Sequence, residues 1–211
     1  MTLTTVVLDL GETLVDETSL WQDWADFLGV PAFTFFGVLG GLAARDQDHR
    51  RFLDAFRPGE TWEDVLAAKN RAAPWAMSRA DLYLDAEPCL AELKTDGWQV
   101  VVGGNQPEAF QRLVQELALP VDLVTSSGEL GVAKPDRAFY DALAGKAGVT
   151  TAQCVHVGDR VDNDVVGAAA AGMTPVHLVR GPWGFLHAAD PGVKHQVRSL
   201  SELPALLRTL R

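Results

Sequence analysis

Cysteine, clustered positive charge and long apolar runs are what this sequence has little of. Its two cysteines, Cys89 and Cys154, lie far apart in apolar contexts. That excludes a disulfide framework, and two reduced buried thiols are the expectation. No Cys-x-x-Cys or Cys/His ligand spacing occurs, which argues against a zinc site. Lys and Arg together number 18 against 28 Asp and Glu, a net charge of −10. Broad binding to nucleic acid or to anionic membranes needs clustered Lys and Arg and is not expected. A small anionic substrate stays open, because a site can be locally positive inside an acidic chain. The longest apolar stretch, residues 30–44, is interrupted by Pro31 and several glycines and is too short to cross a bilayer. The opening residues carry no basic segment, and their apolar run stops at Asp9; a soluble, cytoplasmic protein is the expectation. The five histidines show no partner spacing, and His156 reads as a buried, satisfied side chain rather than a base.

What is present is globular: 47% hydrophobic and 22% charged residues. Residues 4–8 form a short β-branched run ending at Asp9, with similar runs at 98–102, 121–125, 154–157 and 174–179. Continuous apolar runs closed by turn residues predict strands buried on both faces of a parallel sheet. Helical patterns lie between them. Phe110, Leu113, Val114 and Leu117 keep i, i+3, i+4, i+7 spacing, with Pro107 placed for a first turn. Phe139, Tyr140 and Leu143 form an apolar face after Pro135, and the small residues of 165–171 suit a helix lying close on a sheet. The expected fold is α/β: a Rossmann-like parallel sheet with helices on both faces.

Residues 15–85 do not alternate and read as helices only. Leu20, Trp21, Trp24, Phe27 and Leu28 make one apolar face; Phe52, Leu53 and Phe56 a second; Trp62, Val65 and Leu66 a third, behind Thr61 as N-cap. Breaks fall at Pro31, at Pro58–Gly59 and at residues 73–76. Residues 1–14 with 86–211 are therefore expected to form the α/β core, and 15–85 an inserted all-helical domain. Trp21, Trp24, Phe35, Phe36 and Arg45 either line a substrate pocket there or, for the aromatics, pack the insert's own core.

Ligands of parallel sheets bind at the carboxyl ends of the strands. Those positions carry Asp9-Leu10-Gly11-Glu12, then Gly103-Gly104-Asn105, then Lys134-Pro135-Asp136, then Gly158-Asp159-Arg160-Val161-Asp162-Asn163-Asp164. Converging carboxylates repel unless they share protons or surround a cation. All-oxygen ligands suit Mg²⁺, which often bridges to phosphate. A rim lysine holds a phosphate oxygen as a point charge, and Gly-rich turns present backbone N–H donors. Together these are parts for phosphoryl transfer. The order is wrong for a response-regulator receiver, whose acceptor lies on a middle strand, and Gly103-Gly104-Asn105 is not a dinucleotide fingerprint.

Four segments resemble the motifs of the haloacid dehalogenase superfamily, and the likeness covers nearly the whole chain. Val-Val-Leu-Asp-Leu-Gly-Glu-Thr-Leu-Val-Asp at 6–16 is similar to its first motif and Val-Val-Val-Gly-Gly-Asn at 100–105 stands at its second. Lys134-Pro135-Asp136 is similar to the third, and Val-Gly-Asp-Arg-Val-Asp-Asn-Asp-Val-Val-Gly-Ala-Ala-Ala-Ala-Gly-Met at 157–173 to the fourth. The helical insert resembles the small helical cap of one subclass. The resemblance implies a Mg²⁺-dependent phosphatase acting on a small phosphorylated metabolite. Asp9 would be the nucleophile, forming an aspartyl-phosphate. Asp9, the Gly11 carbonyl, Asp159 and Asp164 would hold Mg²⁺. Lys134 would hold Asp9 and the phosphoryl group, and Gly104 and Asn105 would line the phosphate pocket. A monomer and a homodimer both fit.

Two positions depart from the family pattern. The acid/base carboxylate two residues after the nucleophile is Gly11 here, with Glu12 displaced by one position. Glu12 substitutes for it, or the substrate carries a good leaving group, or activity is reduced. The hydroxyl residue of the second motif is Gly104, for which Ser126 or Ser127 is a possible replacement. Two alternatives stand beside the phosphatase: a 2-haloacid dehalogenase-like hydrolase, which uses the same nucleophile on carbon without metal, and a non-catalytic protein that binds a phosphorylated ligand or a partner.

Overall fold

The computed structural model describes residues 2–72 and 75–211; the break read at 73–76 begins at Ala73 and Pro74, outside the described residues. The chain divides into two compact units, Met1–Asp16 with Ser78–Arg211, and Glu17–Met77. The first unit thus takes in residues 15–16 and 78–85, expected in the insert, as well as the segments expected. Their attachment is local: Val15 bridges Leu82, and the Tyr83 N–H donates to the Leu14 carbonyl at 3.0 Å.

The Glu17–Met77 unit is helical. Helix α1 (Thr18–Leu28) ends at Gly29, whose φ of +68° lets the chain turn with Gly29 and Val30 N–H bonded to Asp26 and Ala25 carbonyls. Helix α2 (Ala32–Ala43) starts behind Pro31. A short α3 (Phe52–Phe56) and α4 (Trp62–Ala72) complete the unit. Thr61 does cap α4, its hydroxyl accepting from the Asp64 N–H at 3.2 Å. Trp24, Phe35 and Phe52 are buried at the centre, with ring centroids 5.1–5.2 Å apart for Phe35–Phe52 and Trp24–Phe52. Rings at these spacings add about 0.5–1.5 kcal/mol per pair beyond area burial. So Trp24 and Phe35 are core, Trp21 packs on Phe35 and Phe52, and Phe36 lies at the surface. Buried Lys69 pairs with Asp23 inside this unit. Arg45 lines a cavity of about 510 Å³ with Gly37, Gly41 and Arg51.

The other unit is a six-stranded sheet in which every pairing is parallel: β1 (Thr5–Leu8), β2 (Gln99–Gly104), β3 (Leu123–Ser126), β4 (Cys154–Gly158), β5 (Thr174–Leu178) and β6 (Gln196–Val197), in spatial order 3-2-1-4-5-6. The five expected strands are present within one or two residues of the sequence limits. β6 has only two residues, too few to show a pattern. Helices cover both faces of the sheet. They are α5 (Ala86–Thr95), α6 (Glu108–Glu116), α7 (Ser127–Leu130), α8 (Arg137–Lys146), α9 (Ala168–Ala170), α10 (Gly181–Leu186) and α11 (Leu203–Leu210). Phe139, Tyr140 and Leu143 of α8 are buried against Val7 and Val101, as their spacing predicts; each such side chain contributes about 1.5–3 kcal/mol on burial. Two expectations are corrected. Pro107 precedes α6 as its cap residue, and the buried positions of that helix are Gln111 and Val114 rather than the whole apolar stripe. The 165–171 helix begins earlier, as a π-helical turn at Val161–Gly167 that runs into α9. Among the described residues no single helix is long and apolar enough to cross a membrane.

After β1 the chain goes to β2 and β3 on one side, then returns to place β4 on the other. The strand order reverses between β1 and β4, where ligands of open parallel sheets bind. β1 and β4 are in register from Thr5↔Cys154 to Leu8↔Val157. Asp9 and Asp159 therefore leave the sheet side by side.

Candidate active site

Asp9 is fixed by its own N–H, which donates to the Val157 carbonyl at 2.8 Å, extending the β1–β4 ladder by one bond. Its Oδ1 lies 2.9 Å from Lys134 Nζ. The same ammonium lies 2.6 Å from Asp164 Oδ1. Lys134 thus bridges two carboxylates while itself 5% exposed. Asp159 is also buried, and Asp9, Asp159 and Asp164 each present a carboxylate oxygen within 4.8 Å of the others. The four residues expected to meet at the strand ends do meet.

The π-helical turn explains how Asp164 reaches back. Such turns carry one extra residue and often mark functional sites. The Asp164 N–H donates to the Arg160 carbonyl at 2.6 Å, and Asp164 Oδ2 accepts from the Arg160 N–H at 3.0 Å. Oδ1, besides Lys134, meets His156 Nε2 at 3.0 Å. His156 is buried, as expected, but only its Nε2 is paired, and the partner is this site's carboxylate; Nδ1 has no hydrogen-bond partner. The tight fit is why residue 158 is glycine: a Cβ there would collide with the Asp164 side chain.

Charge follows from these contacts. Burial pushes the Asp9 carboxyl up, opposed by Lys134 and aided by the Asp164 charge. Burial would also raise Asp164, but the Lys134 ammonium and the His156 hydrogen bond hold it well below the usual carboxylate range. Burial would lower Lys134, yet the two carboxylates hold it above the usual lysine range. One lysine serves two of the three carboxylates, and the Arg160 charge also faces Asp159 and Asp164. The donor set, all oxygen and clustered at a strand-order reversal, fits a hard divalent cation such as Mg²⁺.

The remaining expected residues fall as follows. Asn105 holds Lys134 by the backbone: Nδ2 donates to the Lys134 carbonyl at 2.9 Å, and the Lys134 N–H donates to Oδ1 at 2.8 Å. Its amide therefore positions the lysine, a role that the sequence did not suggest. Gly104 abuts Asp9 so closely that a Cβ would collide with Asp9 Oδ1. The absent hydroxyl residue at 104 is thus matched to the Asp9 rotamer. Ser126 is not a replacement: its hydroxyl donates to Gln111 Oε1 at 2.8 Å and accepts from the Glu129 N–H at 3.3 Å, capping α7. Ser127 donates to the Gln106 carbonyl at 3.3 Å. Gly11 bridges Val15 in the turn after β1. Glu12 has φ +50°, and its Oε2 accepts from the Tyr83 hydroxyl at 2.6 Å. Tyr83, Asp85 and Arg180 are the neighbours that sequence reasoning missed. They lie up to 167 residues from their partners and carry no local signal.

Residues 3–172 match the family model described as haloacid dehalogenase-like hydrolase. A glyceraldehyde 3-phosphate phosphatase of Methanopyrus kandleri is 33% identical over 105 residues, 48% of this chain and 45% of that protein. Phosphatase MT3486 of Mycobacterium tuberculosis is 41% identical over 135 residues, 62% of this chain and 58% of that protein. The chain thus matches about half the length of these curated relatives. A solved dehalogenase superposes with a TM-score of 0.69 at 25% identity, covering 97% of this chain and 96% of that one.

Proposed function

The chain belongs to the haloacid dehalogenase-like hydrolase family, and on that premise we propose that it is a Mg²⁺-dependent phosphatase of a small phosphorylated metabolite. The observation that carries the reading is the Lys134 ammonium bridging Asp9 and Asp164, with Asp159 in the same carboxylate cluster. A phosphoryl group arriving there meets a nucleophile and a fixed positive charge on one side of a strand-order reversal.

In this reading Asp9 attacks phosphorus. The Asp9–phosphorus bond forms as the bond to the substrate's leaving oxygen breaks. Water then attacks the aspartyl-phosphate, releasing inorganic phosphate and restoring the carboxylate. Lys134 orients Asp9 and offsets charge on the phosphoryl oxygens, the kind of preorganised stabilisation that dominates such reactions. Backbone groups at Gly104 and Asn105 line the phosphate pocket. Asp9, the Gly11 carbonyl, Asp159 and Asp164 would hold Mg²⁺, which would supply charge neutralisation at the phosphoryl oxygens. Glu12 protonates the leaving oxygen and later takes a proton from the attacking water, the work Gly11 cannot do.

Relatives named as phosphatases support this reading. The likeness to a dehalogenase supports the rival reaction at carbon, but a cluster of three carboxylates is a poor receptor for a carboxylate substrate that has no cation with it. Phosphate release from phosphomonoesters, sugar 1-phosphates and acyl phosphates, with Mg²⁺ and with chelator, tests the proposal. Release that needs Mg²⁺ and vanishes in Asp9→Asn is expected. Halide release from 2-haloacids in chelator would overturn it.

A further inference from the structure

Glu12 is held in a way that an ordinary turn residue is not. A non-glycine residue at φ +50° is strained, and such strain collects at functional sites. The backbone N–H of Glu12 donates to the Val15 carbonyl at 2.8 Å. The Tyr83 hydroxyl donates to its Oε2 at 2.6 Å. On another side lies Gly181, itself at φ +63°, where a Cβ would come within 2.7 Å of Glu12 Cβ and Cγ.

Tyr83 is anchored in turn. The Arg180 guanidinium stacks on its ring at 3.9 Å. Arg180 donates to the Thr13 carbonyl at 2.8 Å, in the same loop as Glu12, and to Asp85 Oδ2 at 2.5 Å. Asp85 Oδ2 also accepts from the Ser199 hydroxyl at 2.7 Å and the Leu200 N–H at 2.9 Å. A continuous chain of contacts runs from the C-terminal segment through Asp85, Arg180 and Tyr83 to Glu12.

We propose that Tyr83 is a positioning residue for the leaving-group acid: its hydroxyl fixes Oε2 of Glu12 so that the other carboxyl oxygen faces the scissile bond. This rests on the reading of Glu12 as the acid. The family acid sits one position earlier on a shorter side chain; a glutamate one position later has an extra rotatable bond, and the phenol removes that freedom. As the phosphorus–oxygen bond breaks, its electron pair goes to the leaving oxygen, which takes the proton from Glu12. The Tyr83 proton stays on the phenol. Burial and the adjacent carboxylate push the phenol up from its usual range, which keeps it a donor.

Leaving-group dependence tests this directly, because an alkoxide needs a proton and a nitrophenolate does not. Wild type, Tyr83→Phe, Glu12→Gln and the double variant are compared by kcat/KM on β-glycerophosphate and on p-nitrophenyl phosphate with Mg²⁺. Phenylalanine keeps the ring under Arg180, and a thermal melt verifies folding. Glu12→Gln is expected to lose about 10²-fold on the alkyl ester and little on the aryl ester. Tyr83→Phe is expected to lose about 10-fold on the alkyl ester alone, as mispositioning does, and to add nothing to Glu12→Gln. If Glu12→Gln shows its loss but Tyr83→Phe behaves as wild type, slows both esters equally, or adds to Glu12→Gln, the role of Tyr83 is wrong and that of Glu12 stands. If Glu12→Gln matches wild type on both esters, the acid role and the positioning role both fall, while loss of turnover in Asp9→Asn keeps the phosphatase reading. A wild type that releases no phosphate from either ester, nor from the sugar 1-phosphates and acyl phosphates, overturns all three.

Discussion

Replacing Lys134 by methionine removes the one ammonium that separates Asp9 from Asp164 while keeping most of the side-chain volume. The carboxylate oxygens of this cluster lie within 4.8 Å of one another. At that separation two unit charges repel by about 3.5 kcal/mol at an effective dielectric of about 20. Removing one partner of a buried ion pair typically destabilises by about 3–5 kcal/mol, because the remaining charge is left without compensation. In a chain of this size each kcal/mol moves Tm by about 2–4 °C, so Lys134→Met is expected to melt about 6–20 °C below wild type at pH 7 in chelator. Calorimetry or a circular-dichroism melt reads this. Two further results follow from the same electrostatics. Adding Asp9→Asn to Lys134→Met should recover part of the loss, since one of the repelling charges goes. Added Mg²⁺ should raise the Tm of the variant by more than that of wild type. A variant melting within about 3 °C of wild type in chelator, with no recovery in the double variant, would refute the claim that Lys134 balances this cluster.

Asn105→Ala removes both hydrogen bonds to the Lys134 backbone; at about 1 kcal/mol each it should cost about 2 kcal/mol by urea denaturation and lower kcat. An unchanged midpoint would mean the lysine loop is held elsewhere. Gly104→Ala forces Asp9 Oδ1 from its place beside Lys134, and kcat should fall by up to about 10²-fold; wild-type turnover would mean the nucleophile works from another rotamer. Asp85 is held below the usual carboxylate range: burial opposes this, but Arg180, Ser199 and the Leu200 N–H outweigh it. Its folded pKa is depressed, so its contribution is present above about pH 4, the unfolded value, and is lost as pH falls further. Asp85→Asn should flatten that part of the stability–pH curve, and an unchanged acid limb would count against the network.

The sheet was readable because Val100, Val101 and Val102 on β2, and Val6, Val7 and Leu8 on β1, are buried on both faces. A strand of that kind must be a continuous apolar run. Gln111 shows where apolar periodicity stops. It is buried because its amide bonds Ser126, the Val124 carbonyl and Glu129, and counting hydrophobic residues cannot find a satisfied polar one. The π-helical turn at Val161–Gly167 left no trace in composition, since its residues would also suit an α-helix. Asp9, Lys134 and Asp159 were legible because each stands at a strand end or a Gly/Pro-marked turn, and Asp164 through the motif that residues 157–173 resemble. The roles of Asn105 and Gly104 were not, because they depend on a rotamer and a backbone clamp. Tyr83, Asp85 and Arg180 meet Glu12 and one another only through the folded sheet. Glu12 itself was visible as a carboxylate near the nucleophile, while its left-handed backbone was not, glutamate being an uncommon occupant of that region.

The central claim is that Asp9 becomes phosphorylated. Mass spectrometry of acid-quenched enzyme during turnover of an acyl phosphate or a phosphomonoester, with borohydride trapping, tests it most directly. Homoserine in place of Asp9 on its peptide, the product of hydride reduction of the aspartyl-phosphate with loss of phosphate, formed with Mg²⁺ and missing in Asp9→Asn, is the predicted result. Phosphate released with no label at Asp9, or a label on another residue, would contradict it.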